Sequence, residues 1–430
     1  MNYLEQYGSA PESERAALVG QWIRTEWRPF FKELRERRPV FATPGITLVT
    51  RFADVIEVLS REQVFSVRLY VPRMDPVVGP FMLARDGTAI NWREKGIMQA
   101  VLRPEDAQRV GELVGGFADE ALEAAAPGGR IDVVPCLGRH VAQRLCDAYF
   151  GLPGPDPASV LRWSRATQCD MFKNLADDPA VHEASLTAGR EMTAYLAELI
   201  PRRQAELADA STCEGEVPPQ DIVSRLLRTR LPGELGFDDR RILANVAGLL
   251  IGGIETTSQA VAQVLEQILL RPDVREAAVA AAMDDDPGRL AAYVWEALRF
   301  NPINPLVFRY CETGYRLAAG TPRESVIPAG TIVFACTASA MFDEVVLAEP
   351  ENFRLHRPDF LRLHFGYGHH ACLGRLVGSA VIPRVVRQVL RRPGVRLLPP
   401  PEGSIDFRGG PFPERFVIAL DAPDVTTPAG

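Results

Sequence analysis

The chain lacks the features that mark whole classes of protein. Its seven cysteines (Cys136, Cys146, Cys169, Cys213, Cys311, Cys336 and Cys372) are odd in number and contain no C-x-x-C pair. That argues against a disulfide framework and for a reducing compartment. No run of about 18 uncharged apolar residues occurs, so no transmembrane helix is expected. The first residues, Met1-Asn2-Tyr3-Leu4-Glu5-Gln6-Tyr7, read as neither a signal peptide nor a membrane anchor, and a cytoplasmic location is expected. An excess of basic charge is also missing: the net charge is −7, which speaks against nucleic acid as a partner. No Gly/Ser linker, acidic run or internal repeat divides the 430 residues, and a single domain over 1–430 is expected.

What is present is a hydrophobic fraction of 47 %, enough for a large core. Residues 39–57 alternate and carry β-branched side chains, as a short hairpin does. Residues 66–85 mix Pro, Val and aromatics without a clean period and read as a long ordered loop. From 91 to 270 the pattern is helical, with breaks near Pro153–Pro157 and Ala208–Pro219. One periodic segment, Asp238 to Leu270, predicts a helix of roughly 50 Å that stops before Pro272. Strand and turn chemistry returns over 315–335, around Ile327-Pro328-Ala329-Gly330-Thr331, and again from Val395 to Leu420. The fold class is mainly α with small β sheets.

The most informative segment is Phe365-Gly366-Tyr367-Gly368-His369-His370-Ala371-Cys372-Leu373-Gly374. It sets one cysteine at the end of a glycine-rich loop, just before a predicted helix from Leu373 to Leu390. Unpaired N–H groups and the dipole at a helix start lower a thiol's pKa. Glycines let a backbone approach a flat ligand closely. The segment resembles the cysteine-ligand loop of the cytochrome P-450 family, Phe-Gly-x-Gly-x-His-x-Cys-x-Gly, at every fixed position. The resemblance implies the family's fold over nearly the whole chain: a β-rich part with a substrate loop over 1–90, a helical part over 91–310, and the ligand loop and C-terminal part over 311–430. It implies a haem (heme b, iron protoporphyrin IX) with Cys372 as the axial ligand to the metal, and Phe365, Gly366 and Gly374 around it. N–H donors and a dry shell tune such a thiolate.

Within the long helix lies Leu250-Ile251-Gly252-Gly253-Ile254-Glu255-Thr256-Thr257. Two helical glycines cost about 1 kcal/mol each relative to alanine. Close helix packing is one explanation. The other is that Thr256 bonds back to the Gly252 carbonyl and opens the helix. The segment is similar to the family's Ala/Gly-Gly-x-Asp/Glu-Thr. That similarity implies that Gly252 and Gly253 leave space on the haem face, that Thr256 hydrogen-bonds bound dioxygen, and that Glu255 helps relay protons, as O–O cleavage requires.

Glu296 and Arg299 are spaced i, i+3 before Pro302, a common surface arrangement taken alone. Their distance from Cys372, with Arg357 between, matches the family's buried structural network. Arg309 matches its propionate arginine and His370 its propionate histidine. The early His-x-x-x-Arg pair is absent: the chain reads Asp86-Gly87-Thr88-Ala89-Ile90-Asn91-Trp92-Arg93-Glu94-Lys95. Asn91 and Lys95 keep the i, i+4 spacing, Trp92 adds an indole N–H, and Lys95 is the expected contact. Phe342 stands where an arginine is common, and Pro383 lies inside the helix after the ligand.

Rival chemistries fit less well. Adjacent His369 and His370 rarely turn to one zinc ion, and a cysteine nucleophile would need a base and an oxyanion site that the loop does not offer. A peroxide-using or rearranging haem-thiolate enzyme tends to lose the acid–alcohol pair, which is intact here; a non-catalytic haem sensor is the alternative of a different class. The expectation is a monooxygenase with electrons from a separate ferredoxin or flavodoxin and its NAD(P)H reductase, monomeric, acting on a hydrophobic small molecule. Arg384, Arg387 and Arg391 form a basic stripe that would meet that partner, unless it is merely a solvated face. The expected pocket walls are Tyr70, Val71, Val78 and Phe81, then Gly248 and Ile251, then Asn304, Leu306 and Val307, and Phe412. Arg68 and Arg73 are candidates to hold a substrate carboxylate.

Overall fold

A computed structural model describes residues 2–174, 177–210, 219–229 and 233–421, so part of the expected break at 208–219 lies outside the described residues. The chain divides into two compact units, one of residues 1–71, 83–91 and 302–372, the other of 72–82, 92–301 and 373–430.

The first unit is built on a five-stranded sheet. Val40–Thr43 and Ile46–Val49 form a hairpin around Gly45, whose φ of 76° suits glycine. Ile46–Val49 runs parallel to Ile332–Ala335, which pairs antiparallel with Val307–Cys311, and that strand with Phe65–Ser66. Alternation along the strands fills two cores. Leu48 and Phe334 point to one with Trp22, Phe30 and Phe31; Val49, Val333 and Ala335 point to the other with Val55 and Val58. The expected hairpin over 39–57 therefore ends at Val49, and Phe52–Leu59 is a helix. Helices Tyr3–Ser9, Glu12–Thr25 and Trp27–Arg37 also correct the β-rich expectation for the first 90 residues. Phe342 is buried, with Trp27 at its edge and the Arg28 guanidinium over its ring. A cation–π contact thus helps to hold Phe342 in place.

The second unit is mainly helical. Asp156, Asp238 and Asp286 cap Pro157–Phe172, Asp239–Gly253 and Pro287–Phe300, each accepting a first-turn N–H. Arg130–Asp132, Val417–Ala419 and Arg396–Leu397 form a small antiparallel sheet, so the tail carries the short strands expected of it. Two expectations fail. Residues 66–85 are not a loop: Val71–Val78 is a helix, with Pro72 in its first turn, where the missing N–H costs nothing. The helix expected from Asp238 to Leu270 is two, Asp239–Gly253 and Glu255–Leu269, broken at Ile254. No helix among the described residues is long and apolar enough to cross a membrane.

Candidate active site

In the first unit the cysteine loop is closed by its own backbone. The Cys372 N–H donates to the Phe365 carbonyl at 2.8 Å, Gly366 to Leu363 at 3.0 Å, and Ala371 to Gly368 at 3.1 Å. Gly366 and Gly368 have φ of 70° and 69°, which L side chains rarely adopt. A Cβ on Gly368 would also lie 2.5 Å from the Leu59 carbonyl oxygen, so any side chain is excluded there twice. The result is an exposed Cys372 on a rigid turn. Gly374 caps the helix Arg375–Leu390, two residues later than the sequence predicts.

Arg309 lies on the strand Val307–Cys311 and is 5 % exposed. Its guanidinium donates to the Phe308 carbonyl at 2.7 Å and forms no ion pair with the described residues. Burial lowers its pKa. His370 is half-buried with its side chain sheltered, and its Nε2 lies 2.8 Å from Asp86 Oδ1. Asn91 is buried, whereas Trp92 is 61 % exposed. Lys95 opens the helix Lys95–Val101 in the second unit. Arg357, in the first unit, donates to the carbonyls of Ala348, Glu349 and Asn352 and braces that loop. Glu296 and Arg299, in the second, form a two-pronged pair at 3.0 and 2.7 Å with side chains 2 % exposed. The pair is thus deeply buried, the reverse of the bland surface reading.

In the second unit the helix break at Ile254 gathers the predicted residues. The Thr256 hydroxyl donates to the Gly252 carbonyl, as its spacing predicts, and Thr257 to Gly253 at 2.7 Å. The two glycines serve different ends. A Cβ on Gly252 would meet nothing within 4 Å, whereas one on Gly253 would touch Phe150 at 3.4 Å and Cys146 at 3.6 Å. Open space explains the first and close packing the second. Glu255 is 1 % exposed and held by two arginines: Arg139 Nε at 2.9 Å and Arg165 Nη1 at 2.8 Å. Both arginines also bind Glu414, Arg139 at 3.0 Å, and Arg139 further donates to the Pro413 carbonyl. Two cations and two carboxylates thus close a neutral ring. Burial would raise the Glu414 pKa, but hydrogen bonds from Arg165 and Arg139 outweigh it and hold the group below 4.5. Arg139, Arg165 and Glu414 escaped the sequence reading. They lie 116, 90 and 275 residues from their partners, with no local pattern to join them.

The expected pocket walls divide. A Cβ on Gly248 would lie 2.4 Å from the Phe81 ring, so Phe81 fills the space that Gly248 leaves rather than adding to a cavity. Val78 is buried beside Val77, which packs on Gly189. Phe412 is buried under the Arg165 guanidinium, 5.3 Å from the ring centre. Ile251 is buried, its carbonyl accepting from Ser164 at 3.4 Å. In the first unit Leu306 belongs to the core of Phe30 and Phe334, a correction. Val307 packs on the other core, and Asn304 is half-buried. Tyr70 is buried, its ring 6.2 Å from that of Phe308, and Val71 begins the helix Val71–Val78. Arg68 and Arg73 are not waiting for a carboxylate: Arg68 pairs with Glu312 at 3.0 Å, and Arg73 binds the Asp170 carbonyl and Asp177. Of the basic stripe, Arg387 caps the carbonyls of Ala282 and Asp284, and Arg384 packs on Gly115. Only Arg391 of the three is exposed.

Residues 158–403 match the sequence model of the family described as Cytochrome P450. The chain is 26 % identical over 403 residues to a steroid C26-monooxygenase of Mycolicibacterium smegmatis, covering 92 % of this chain and 94 % of that one. It is 27 % identical to the mycinamicin IV hydroxylase/epoxidase of Micromonospora griseorubida, covering 85 % and 88 %. It is 30 % identical to the cytochrome P450 monooxygenase PikC of Streptomyces venezuelae, covering 68 % and 62 %. The solved structure of CalO2 superposes with a TM-score of 0.77 at 22 % identity over 94 % of this chain and 97 % of that one. An open cytochrome P450 of S. erythraea, EryK, gives 0.76 at 23 % identity over 97 % and 98 %.

Matched over more than half its length, the chain belongs to the cytochrome P450 family and has its fold. It is an oxidoreductase of the monooxygenase class.

The family's haem brings two carboxylates and an iron that takes a thiolate. The first unit fits: it buries a guanidinium, Arg309, that forms no ion pair with the described residues, and it presents a cysteine thiol at the end of a turn with two positive-φ glycines. A buried cation of that kind is costly until an anion reaches it.

Proposed function

We propose that this protein is a heme b monooxygenase that oxidises a hydrophobic small molecule, using electrons delivered by a separate ferredoxin or flavodoxin and its NAD(P)H reductase. The observation that carries the reading is the helix break at Ile254, where Thr256 bonds to the Gly252 carbonyl beside a buried Glu255. Haem ligated by a cysteine thiolate supplies reductive activation of dioxygen and insertion of one oxygen atom into substrate. Cys372 provides the thiolate, and the closed loop keeps its sulfur fixed. Arg309 holds a haem carboxylate, relieving its buried charge.

The chain's own residues manage protons and water. Thr256 rests its proton on Gly252, and a small rotation turns that hydroxyl toward the open side that the glycine leaves. Glu255 is held by both arginines. Glu414, with a side chain 23 % exposed, offers them an alternative partner, so that a shift of Arg139 or Arg165 releases Glu255 to accept and pass a proton. Phe81, Val78 and Phe412 are buried apolar side chains of the unit that carries Thr256. A hydrophobic substrate fits one relative, which is named for oxidising a steroid.

Labelled dioxygen tests the reading. With a reconstituted redox chain and a substrate found by its spectral shift, one labelled oxygen atom should enter product for each NAD(P)H consumed. Product that forms only with added peroxide, or that carries oxygen from water, contradicts it.

A further inference from the structure

The Asp86–His370 pair has no place in that reading. Asp86 lies in the segment where the early propionate-binding pair is replaced, five residues before Asn91. Both its carboxylate oxygens are engaged: Oδ2 accepts the Val67 N–H at 2.8 Å, and Oδ1 lies 2.8 Å from Nε2 of His370. The side chains are 19 % and 7 % exposed, so the contact is sheltered from solvent. Against a carboxylate, Nε2 must carry the hydrogen and donate it. Arg309 is near enough to feel Asp86 electrostatically but forms no ion pair with it. Asp86 is thus the one carboxylate that acts on Arg309 at this edge among the described residues, and an asparagine at 86 would remove that negative charge.

We propose that Asp86 is a haem-edge positioning residue: it takes the Nε2–H of His370 away from the haem carboxylate and adds a negative charge at that edge. His370 then acts through Asp86, and Arg309 is the cation of this unit that holds the haem carboxylate directly. A fixed negative charge near the iron favours its ferric state, because the extra positive charge of that state is attracted to the carboxylate. The sheltered setting keeps the effect from being screened away. The inference rests on haem binding as proposed above.

The test uses the full-length holoenzyme with Asp86→Asn, whose amide oxygen still accepts the Val67 N–H. The ferrous form should gain about tenfold in the ferric–ferrous equilibrium, an upward shift of about 59 mV for one electron. Haem should also transfer to excess apomyoglobin several-fold more slowly than from wild type. An unchanged potential with faster haem loss would make Asp86 a loop fastener and overturn the proposal. Should Asp86→Asn fail to fold, Asp86→Ser serves in its place. A crystal structure of wild-type holoenzyme decides without any variant: Nε2 on Asp86 supports the proposal, and Nε2 turned to a haem carboxylate refutes it. A wild-type protein that takes up no haem would instead sink the functional reading on which the proposal stands.

Discussion

Two buried arginine sites in this molecule are opposites. Around Glu255 the second unit closes a ring of two arginines and two carboxylates and leaves no charge over. In the first unit Arg309 is also buried, yet among the described residues its guanidinium bonds to a backbone carbonyl and forms no ion pair. Burying a charge is expensive in both places. A ring that neutralises itself is a fold-building device, and its loosening can be used to move a proton. An unanswered charge is tolerable only if something outside the chain completes it. On the proposed function, the contrast separates the arginines that build the fold from the arginine that would hold a haem carboxylate.

The sharpest way to break the comparison is to remove one member of each kind. Arg139→Leu strips one of the two cations from the buried Glu255 and should cost about 3–5 kcal/mol in chemical denaturation. Arg309→Leu should leave the stability of haem-free protein unchanged or slightly raised, while haem uptake falls. Equal losses from the two would erase the distinction.

Next in size is Thr256→Ala. It removes the hydroxyl that opens the helix, and product formation should fall by roughly 10²-fold. NAD(P)H consumption should continue, with the electrons recovered as peroxide. A variant as tightly coupled as wild type would remove Thr256 from the proton path.

A smaller effect is expected at Gly248. An alanine there drives a Cβ against Phe81, at a cost of about 1–3 kcal/mol. Phe81→Leu should recover most of that loss in a double-mutant cycle; additive losses would mean that the contact is relaxed elsewhere.

The smallest effect concerns Glu414. Its pKa is depressed in the fold, so its stabilising contribution is fully present above about 4.5 and is lost as pH falls through the lower folded value. Glu414→Gln should therefore cost under about 1 kcal/mol near neutrality and nothing at the acid end. A difference that grows toward low pH would reverse that sign.

Local chemistry made much of this legible from sequence. The glycine spacing around Cys372 is dictated by two positive φ values and by one carbonyl that excludes a side chain. The Thr256 bond to Gly252 is an i, i−4 relation within a single helix. What escaped was non-local. Arg139 and Glu414 meet across 275 residues of chain, and no periodicity predicts such a meeting. Residues 66–85 were misread because the helix Val71–Val78 is too short for its period to show, and its prolines resemble loop chemistry. Leu306 was misplaced because an apolar residue beside a site and one in a core look alike in sequence. The contacts of Asp86 were equally hidden, since its partners Val67 and His370 come from two separate stretches of chain.

The account stands on Cys372 as the axial ligand of a haem that Arg309 helps to hold. The most direct test is the absorption spectrum of purified protein reduced with dithionite under carbon monoxide, for wild type, Cys372→Ala and Arg309→Leu. Wild type should show the strongly red-shifted Soret band of a thiolate–haem–carbon monoxide complex. Cys372→Ala should lose that band, and Arg309→Leu should keep its position at reduced haem content. A red-shifted band that survives Cys372→Ala, or a wild-type protein with no haem band at all, would contradict the account.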